Sequence, residues 1–298
     1  MLSICIPHYN FVNPVLFETL FLQCKSAKIS FEILIADDAS VPLKKTYLKN
    51  FIQPEFSIFF LEKNIGRSAI RNFLASKAKY PHLLFLDADA EIINENFIAN
   101  YLENLGNKIV SGGRVYQSEK PDPNYTLHYK YGSKIEQHAQ VAFQSNNFIV
   151  PKSVFDLLVF DEEIKGYGYE DVLFGLEATR LGFELKKINN PVKHIQLKTN
   201  EEFVNDLEQA LKNLKELITK KRNAKLEQEV TVSDFYRKIR NYKLTFLLSI
   251  RQDKILKKAR ALLFLNIPIG ATLLIAVYKL YYFHSLHNVK DDIRSRSF

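Results

Sequence analysis

Four short apolar runs constrain this chain more than anything else in it. Residues 2–7 (LSICIP), 31–36 (FEILIA), 56–61 (FSIFFL) and 83–87 (LLFLD) begin 29, 25 and 27 residues apart. Between them lie helix-patterned stretches near 14–27, 43–50 and 67–79. Continuous apolar strands separated by helices predict an α/β architecture with a mostly parallel sheet covered on both faces. Ligands of such sheets bind at the carboxyl ends of the strands. The first run ends in Pro7-His8-Tyr9-Asn10, the second in Asp37-Asp38, the fourth in Asp87-Ala88-Asp89. No GxGxxG and no GxxxxGK[ST] occurs, so neither a Rossmann dinucleotide site nor a P-loop is signalled.

Each strand end suggests a chemistry and has a plainer alternative. Asp87 and Asp89, one residue apart, can share a hard divalent cation, which favours carboxylates and phosphate oxygens. The alternative is a turn, where Asp is common. Asp38 is a candidate for bonding a nucleobase or ribose, with Pro7, Tyr9 and Asn10 beside the same base; its alternative is a helix cap. In the segment from Asn64 to Asn72, Gly66 permits a tight turn. Arg67 and Arg71 share a helix face there, and the planar Arg71 fork suits a diphosphate. An isolated pair of that kind also reads as a solvated face. Gly166-Tyr167-Gly168-Tyr169 can mould itself to a ring-shaped ligand. Glu170 and Asp171 then open a helix expected over 172–181, closed by Gly182. Acids at a helix start complement its dipole, yet one of them could act as a general base. His194, beyond an expected strand at 183–188, would suit a third metal ligand; its plainer alternative is a structural histidine.

The composition breaks near residue 200. Residues 1–200 hold 22 basic and 22 acidic side chains, and residues 201–298 hold 19 and 11, so the net charge of +8 belongs to the tail. Nine of the ten Gly and nine of the ten Pro precede residue 192. The tail therefore reads as helices. Thr199 to Glu202 fits a capping box. Phe203, Leu207, Leu211, Leu214 and Ile218 recur at helical spacing. A second helix is expected from Ser233-Asp234, with Phe235, Ile239, Tyr242 and Phe246 on one face. A basic stretch at 251–260 precedes an uncharged run at 261–278, whose 18 residues stand at the lower edge for a membrane span. Pro268 and Gly270 interrupt it and its flanks are basic. It reads as a span, as a monotopic anchor, or as a buried helix pair or homo-oligomer interface. Nucleic acid is not expected, since the aromatics do not interleave with the basic residues as a stacking platform would need. Two cysteines, Cys5 and Cys24, cannot build a disulfide framework or a zinc ribbon. With no charged-then-apolar leader, the chain reads as a protein of a reducing cytoplasm.

Taken together, residues 2–195 resemble a family-2 glycosyltransferase with the GT-A fold. SICIPHYN resembles that family's first strand and nucleotide loop. ADDAS resembles its VDDGS-type element, NIGRSAIRN its N-x-G…A-R-N segment, and LDADA its D-x-D region. GYGYED is similar to the G-x-G-x-E-D segment of galactosyltransferase-like members, with Tyr167 or Tyr169 where a Trp is usual. The resemblance implies a GT-A domain over 1–198, followed by a basic helical extension over 199–298 for membrane association or oligomerisation. It implies inverting transfer from a UDP-sugar to a glycan or lipid-linked acceptor in bacterial cell-surface polysaccharide or glycolipid assembly. Asp171 would be the base, and Glu170, Tyr167, Gly168 and Tyr169 would meet the acceptor. Pro7, Tyr9, Asn10, Asp38, Asn64, Gly66, Arg71, Asp87 and Ala88 would bind the nucleotide-sugar. Mn²⁺ or Mg²⁺ would be held by Asp89 and His194, with Asp87. The expected location is peripheral, on the cytoplasmic face of the inner membrane, with residues 231–298 on the lipid. A nucleotidyltransferase would show a Gly-rich basic loop after the first strand, where His8-Tyr9-Asn10-Phe11 stands instead. A phosphatase of the haloacid dehalogenase type would carry D-x-D after the first strand, not the fourth. A non-catalytic membrane-associated sugar-nucleotide-binding or scaffolding protein is the remaining alternative. Residues 114–150 carry no readable code.

Overall fold

A computed structural model describes residues 1–51, 53–138, 143–220, 224–265 and 270–294, the last six of these as helix backbone. The chain opens with β1 (Leu2–His8), α1 (Pro14–Ser26), β2 (Phe31–Asp37), α2 (Pro42–Leu48), β3 (Phe56–Phe60) and α3 (Arg67–Lys77). Then come β4 (His82–Leu86), β5 (Ala90–Ile92), α4 (Phe97–Leu102), β6 (Lys108–Ser111) and β7 (Arg114–Tyr116). Next are α5 (Thr126–Tyr131), β8 (Asn147–Pro151), α6 (Lys152–Phe155), α7 (Glu170–Arg180), β9 (Glu184–Lys187) and β10 (Val192–His194). The remainder is helical: α8 (Asn200–Lys220), α9 (Ala224–Glu229), α10 (Thr231–Asn241), α11 (Thr245–Ser249), α12 (Gln252–Phe264) and α13 (Ala271–Arg294). Two compact units result. One holds residues 1–118, 136–165 and 170–196; the other holds 119–135, 166–169 and 197–298.

The first unit is built on a seven-stranded sheet in the order β3-β2-β1-β4-β8-β6-β9. β3, β2, β1 and β4 run parallel, β8 is antiparallel to both its neighbours, and β9 is parallel to β6. Side chains alternate across the strands. In β1, Ile4 and Ile6 join Leu16, Phe17 and Leu20 of α1 on one face. Cys5 joins Ile70 and Leu74 of α3 on the other. Both faces are thus buried, which is why the strands read as unbroken apolar runs. Both thiols are free and buried. The second face ends in a knot of Phe85, Phe148, Phe155, Phe160 and Phe174, in which Phe160 and Phe174 stack at 4.4 Å. β8, which supplies Phe148, lies within the stretch that carried no readable code. Its apolar core is only three residues, Phe148 to Val150, bounded by Asn147 and Pro151.

A three-stranded sheet, β5-β10-β7, sits after the acidic end of β4. β10 pairs antiparallel with β5, so that His194 faces Ala90, and parallel with β7, so that His194 also aligns with Tyr116.

The second unit is helical. α8 starts with a reciprocal capping box: Glu202 Oε2 accepts the Thr199 N–H at 2.8 Å, and Thr199 Oγ accepts the Glu202 N–H at 3.2 Å. Its buried face, Phe203, Val204 and Leu207, packs with Leu127, Ala259, Leu263, Ile275 and Tyr278. The uncharged run at 261–278 is therefore divided. It ends α12 and begins α13, and Leu263, Ile275 and Tyr278 from it are core. Residues 266–269, with Pro268, lie outside the described residues. Among the described residues no helix is long and apolar enough to cross a membrane. The face expected on α10 also differs. The helix stops at Asn241, before Tyr242 and Phe246, and it buries Val232 and Tyr236 while Phe235 is exposed.

Candidate active site

Register brings the first two strand ends together. His8 and Asp37 are direct partners in the β1–β2 ladder. Their side chains meet at 2.8 Å, His8 Nδ1 to Asp37 Oδ1, fully buried. Burial lowers the His8 pKa despite this carboxylate. Asp37 Oδ2 accepts the Ser40 N–H at 3.1 Å. The adjoining turns are laced to each other. The Asn10 N–H donates to Ser40 Oγ at 2.8 Å, and Asn10 Oδ1 accepts the Val41 N–H at 2.9 Å. Asn10 and Ala39 both take left-handed backbone conformations to make these turns, with φ of 54° and 62°. Pro7 lies within β1, and Tyr9 is exposed beside Asn10.

Asp38 is buried, and its carboxylate accepts the N–H groups of Ile65 at 2.7 Å and Gly66 at 3.1 Å. Asn64 Nδ2 donates to the Asp38 carbonyl at 3.2 Å. Burial raises the Asp38 pKa against the pull of those two N–H groups. Asp38 thus pins the turn whose Gly66, at φ 87°, precedes α3. Two accepted bonds leave a carboxylate with further lone pairs.

Arg71, on α3, is only 2% exposed and is not on a solvated helix face. Its Nη2 donates to Asp87 Oδ1 at 2.9 Å, its Nη1 lies 3.9 Å from Glu170 Oε1, and its guanidinium covers the Phe160 ring at 5.4 Å. Arg71 thus forms a buried bridge between two carboxylates, Asp87 and Glu170.

Asp89 belongs to a different partner set. Asn13 Nδ2 clamps the acidic turn by donating to the carbonyls of Ala88 at 3.2 Å and Ala90 at 2.8 Å. The Ile195 N–H donates to the Asp89 carbonyl at 3.0 Å, continuing the β5–β10 ladder. That ladder sets His194 Nδ1 3.4 Å from Asp89 Oδ1. Burial works to raise the Asp89 pKa, but His194, Arg114 and Arg67 outweigh it and hold the carboxylate below its usual range. An ionised carboxylate next to an imidazole is a donor pair that suits Mn²⁺ or Mg²⁺. Among the described residues no three His, Cys, Asp or Glu side chains meet. Such a cation would take further ligands from substrate phosphate or water.

Glu170 and Asp171 open α7. Glu170 is buried. Asp171 Oδ1 accepts the Val172 N–H at 2.8 Å. Burial and the neighbouring Glu170 push the Asp171 carboxyl up to about 7, against the pull of Arg114 and Arg71. Arg114 therefore acts electrostatically on both Asp89 and Asp171. The preceding turn, residues 166–169, belongs to the helical unit. There Asn213 Nδ2 donates to the Tyr167 carbonyl at 3.0 Å, and Lys198 Nζ lies 4.5 Å above the Tyr167 ring. Gly166, Gly168 and Tyr169 all have positive φ, of 74°, 107° and 69°. For Tyr169, with a Cβ, that conformation is strained.

Sequence reasoning placed His8 and Asp37 at strand ends but gave neither a role, and it did not name Asn13 or Arg114. The signal for the first two was available, since each directly follows an apolar run and the runs are neighbours in a parallel sheet. Asn13 before Pro14 is a legible helix cap, though its second role is not. Nothing local marks Arg114.

A parallel-centred sheet of this order, with acids at the strand ends and a small sheet carrying the histidine, is that of a GT-A glycosyltransferase. The profile described as "Glycosyl transferase family 2" matches residues 3–157, more than half of the chain. The protein belongs to that family. Among solved structures it is similar to the mannosyltransferase PcManGT of Pyrobaculum calidifontis in complex with GDP-Man and Mn²⁺. The identity is 13%, 97% of this chain and 87% of that one are covered, and the TM-score is 0.59. It is also similar to S. aureus TarS 1–349 in complex with UDP, at 17% identity, covering 100% of this chain and 92% of that one, with a TM-score of 0.48. Against a longer TarS chain it spans 40% of the length, with a TM-score of 0.44. No curated protein sequence matches the chain.

Proposed function

We propose that this glycosyltransferase is an inverting, cation-dependent enzyme that moves a hexose from a UDP-sugar to a hydroxyl of a glycan or lipid-linked acceptor. The observation that carries the reading is the pairing of opposite carboxylate behaviours within the sheet unit, both under the influence of Arg114. Asp89 is held ionised beside His194, while Asp171 is raised to about 7. Carboxylates driven apart in this way suit division of labour between charge binding and proton transfer. Asp89 and His194 would hold the cation. When bound, it offsets the negative charge that grows on the departing diphosphate. Asp171 takes the proton from the acceptor hydroxyl as that oxygen attacks the anomeric carbon from the face opposite the leaving group. Glu170, fixed by Arg71, lies next in the chain to this base and is proposed to orient the acceptor. Asp38, with Pro7, Tyr9, Asn10 and the turn at Asn64 and Gly66, is proposed to receive the nucleoside. The basic helical unit is proposed to hold the enzyme at the cytoplasmic face of a membrane, supported by its charge excess.

The test is Asp171→Asn. UDP release in the presence of a competent acceptor should fall ~10²–10⁴-fold, while UDP still raises the thermal midpoint as it does for the wild type. Turnover at the wild-type rate would remove Asp171 from the role of base.

A further inference from the structure

The segment between α10 and α12 carries its apolar side chains on the outside. Tyr242, Leu244, Phe246, Leu247 and Ile250 are 42% to 76% exposed, within nine residues of chain. This is not a frayed loop. Leu248 is buried, and Ser249 Oγ lies 3.0 Å from His284 Nε2 of α13, whose Nδ1 lies 3.2 Å from the Tyr236 hydroxyl of α10. The Leu244 N–H donates to the Ile239 carbonyl at 3.0 Å, and the Leu247 N–H to the Leu244 carbonyl at 3.1 Å. Lys243 and Arg251 take left-handed conformations, φ 57° and 53°, at the turns on either side of α11. A built knuckle thus presents a row of hydrocarbon while its inner side is pinned to α10 and α13.

Its charge says what covers it. From residue 240 to 258 there are six basic side chains, Arg240, Lys243, Arg251, Lys254, Lys257 and Lys258, against one acid, Asp253. Lys243, Arg251, Lys254, Lys257 and Lys258 are exposed and form no ion pair among the described residues. A second copy docked through this surface would set like charges against each other. An anionic leaflet supplies the opposite sign and an apolar layer beneath it.

We propose that Tyr242–Ile250 is a membrane-insertion knuckle that enters the headgroup layer of an anionic bilayer, with Lys243, Arg251 and Lys254 on the lipid phosphates. It rests on the membrane-contact reading above and narrows that contact, within residues 231–298, to a segment outside the uncharged 261–278 run, part of which is core.

The test is flotation of the full chain with vesicles of phosphatidylcholine alone and of phosphatidylcholine mixed with phosphatidylglycerol. The wild type should bind the mixed vesicles and release with salt. Each basic residue near the surface contributes about fivefold, so K243E/K254E should lose at least about twenty-five-fold. F246S/L247S/I250S should lose at least about tenfold with an unchanged thermal midpoint, since all three side chains point to solvent. Wild-type failure to bind either vesicle overturns both this proposal and the membrane reading. Wild-type binding that the triple variant retains in full overturns the knuckle alone. A wild type that ignores vesicles but sediments as a dimer, with the triple variant a monomer, assigns the surface to a second copy and overturns the lipid assignment.

Discussion

The two units place charge in opposite ways. In the sheet unit, ionisable groups are taken inside and matched: His8 with Asp37, Arg71 with Asp87 and Glu170, Asp89 with His194. In the helical unit much of the charge stays at the surface, as in Lys238 with Asp234 and Arg240 with Glu227, while hydrocarbon is left outside at the knuckle. Withdrawing a charge from water costs several kcal/mol unless a partner meets it. An exposed ion pair contributes between nothing and about 1 kcal/mol. The sheet unit therefore depends on its polar partners, whereas the helical unit depends on apolar packing and close backbone contact.

Arg71→Met should break this contrast most visibly. Leaving Asp87 and Glu170 without their shared cation should destabilise the sheet unit by roughly 3–5 kcal/mol, read as a lower midpoint in urea. A loss below 1 kcal/mol would mean the bridge holds nothing. Asp89→Ala sharpens it from the ligand side. UDP and Mn²⁺ at about a hundredfold over Kd should protect the wild type by roughly 2.7 kcal/mol, and this variant should lose most of that protection. Equal protection in both would put the cation elsewhere.

Gly168→Ala probes the helical unit. A Cβ there would stand 2.4 Å from Ala210 Cβ and 2.9 Å from its Cα, at φ 107°. Strain and overpacking together should cost about 1–3 kcal/mol, seen in thermal unfolding; an unchanged midpoint would mean the turn does not seat on α8. A further test is a crossover at the base. The folded pKa of Asp171 is raised, so the folded state holds this proton more tightly than the unfolded chain. The wild type therefore loses stability as pH rises from the unfolded value near 4 toward about 7. Asp171→Asn lacks that loss. Its thermal midpoint should exceed the wild type's at pH 8 and not at pH 4. Parallel curves would show that burial does not perturb this carboxyl.

What the sequence disclosed follows the same division. The four parallel strands, the helices between them and the α8 capping box were legible because each is encoded by neighbouring residues. The structure gives β1 to His8 and β2 to Asp37, one residue beyond the runs read from hydropathy. Strands of three residues, β5, β7 and β10, exist only through their ladder partners and leave no periodic trace. Arg71 resembled a surface arginine because its two carboxylate partners lie 16 and 99 positions away. The 261–278 run left its readings open for a related reason: a window average does not distinguish hydrocarbon facing α8 from hydrocarbon facing lipid, and the structure puts Leu263, Ile275 and Tyr278 in the core, as the buried-pair reading expects. The knuckle was hidden because lysine, threonine and serine interrupt it, and only the turns decide which side chains face outward.

The β5–β10 ladder has a consequence for how the enzyme comes into being. A growing polypeptide exposes its first acidic motifs to the cell long before residue 194 has been made. Until the histidine strand adds itself beside Asp89, the half-finished product holds an aspartate and no imidazole next to it. The Asp89–His194 pairing is therefore completed only once residue 194 has been made, and a chain that stops before β10 carries one half of it.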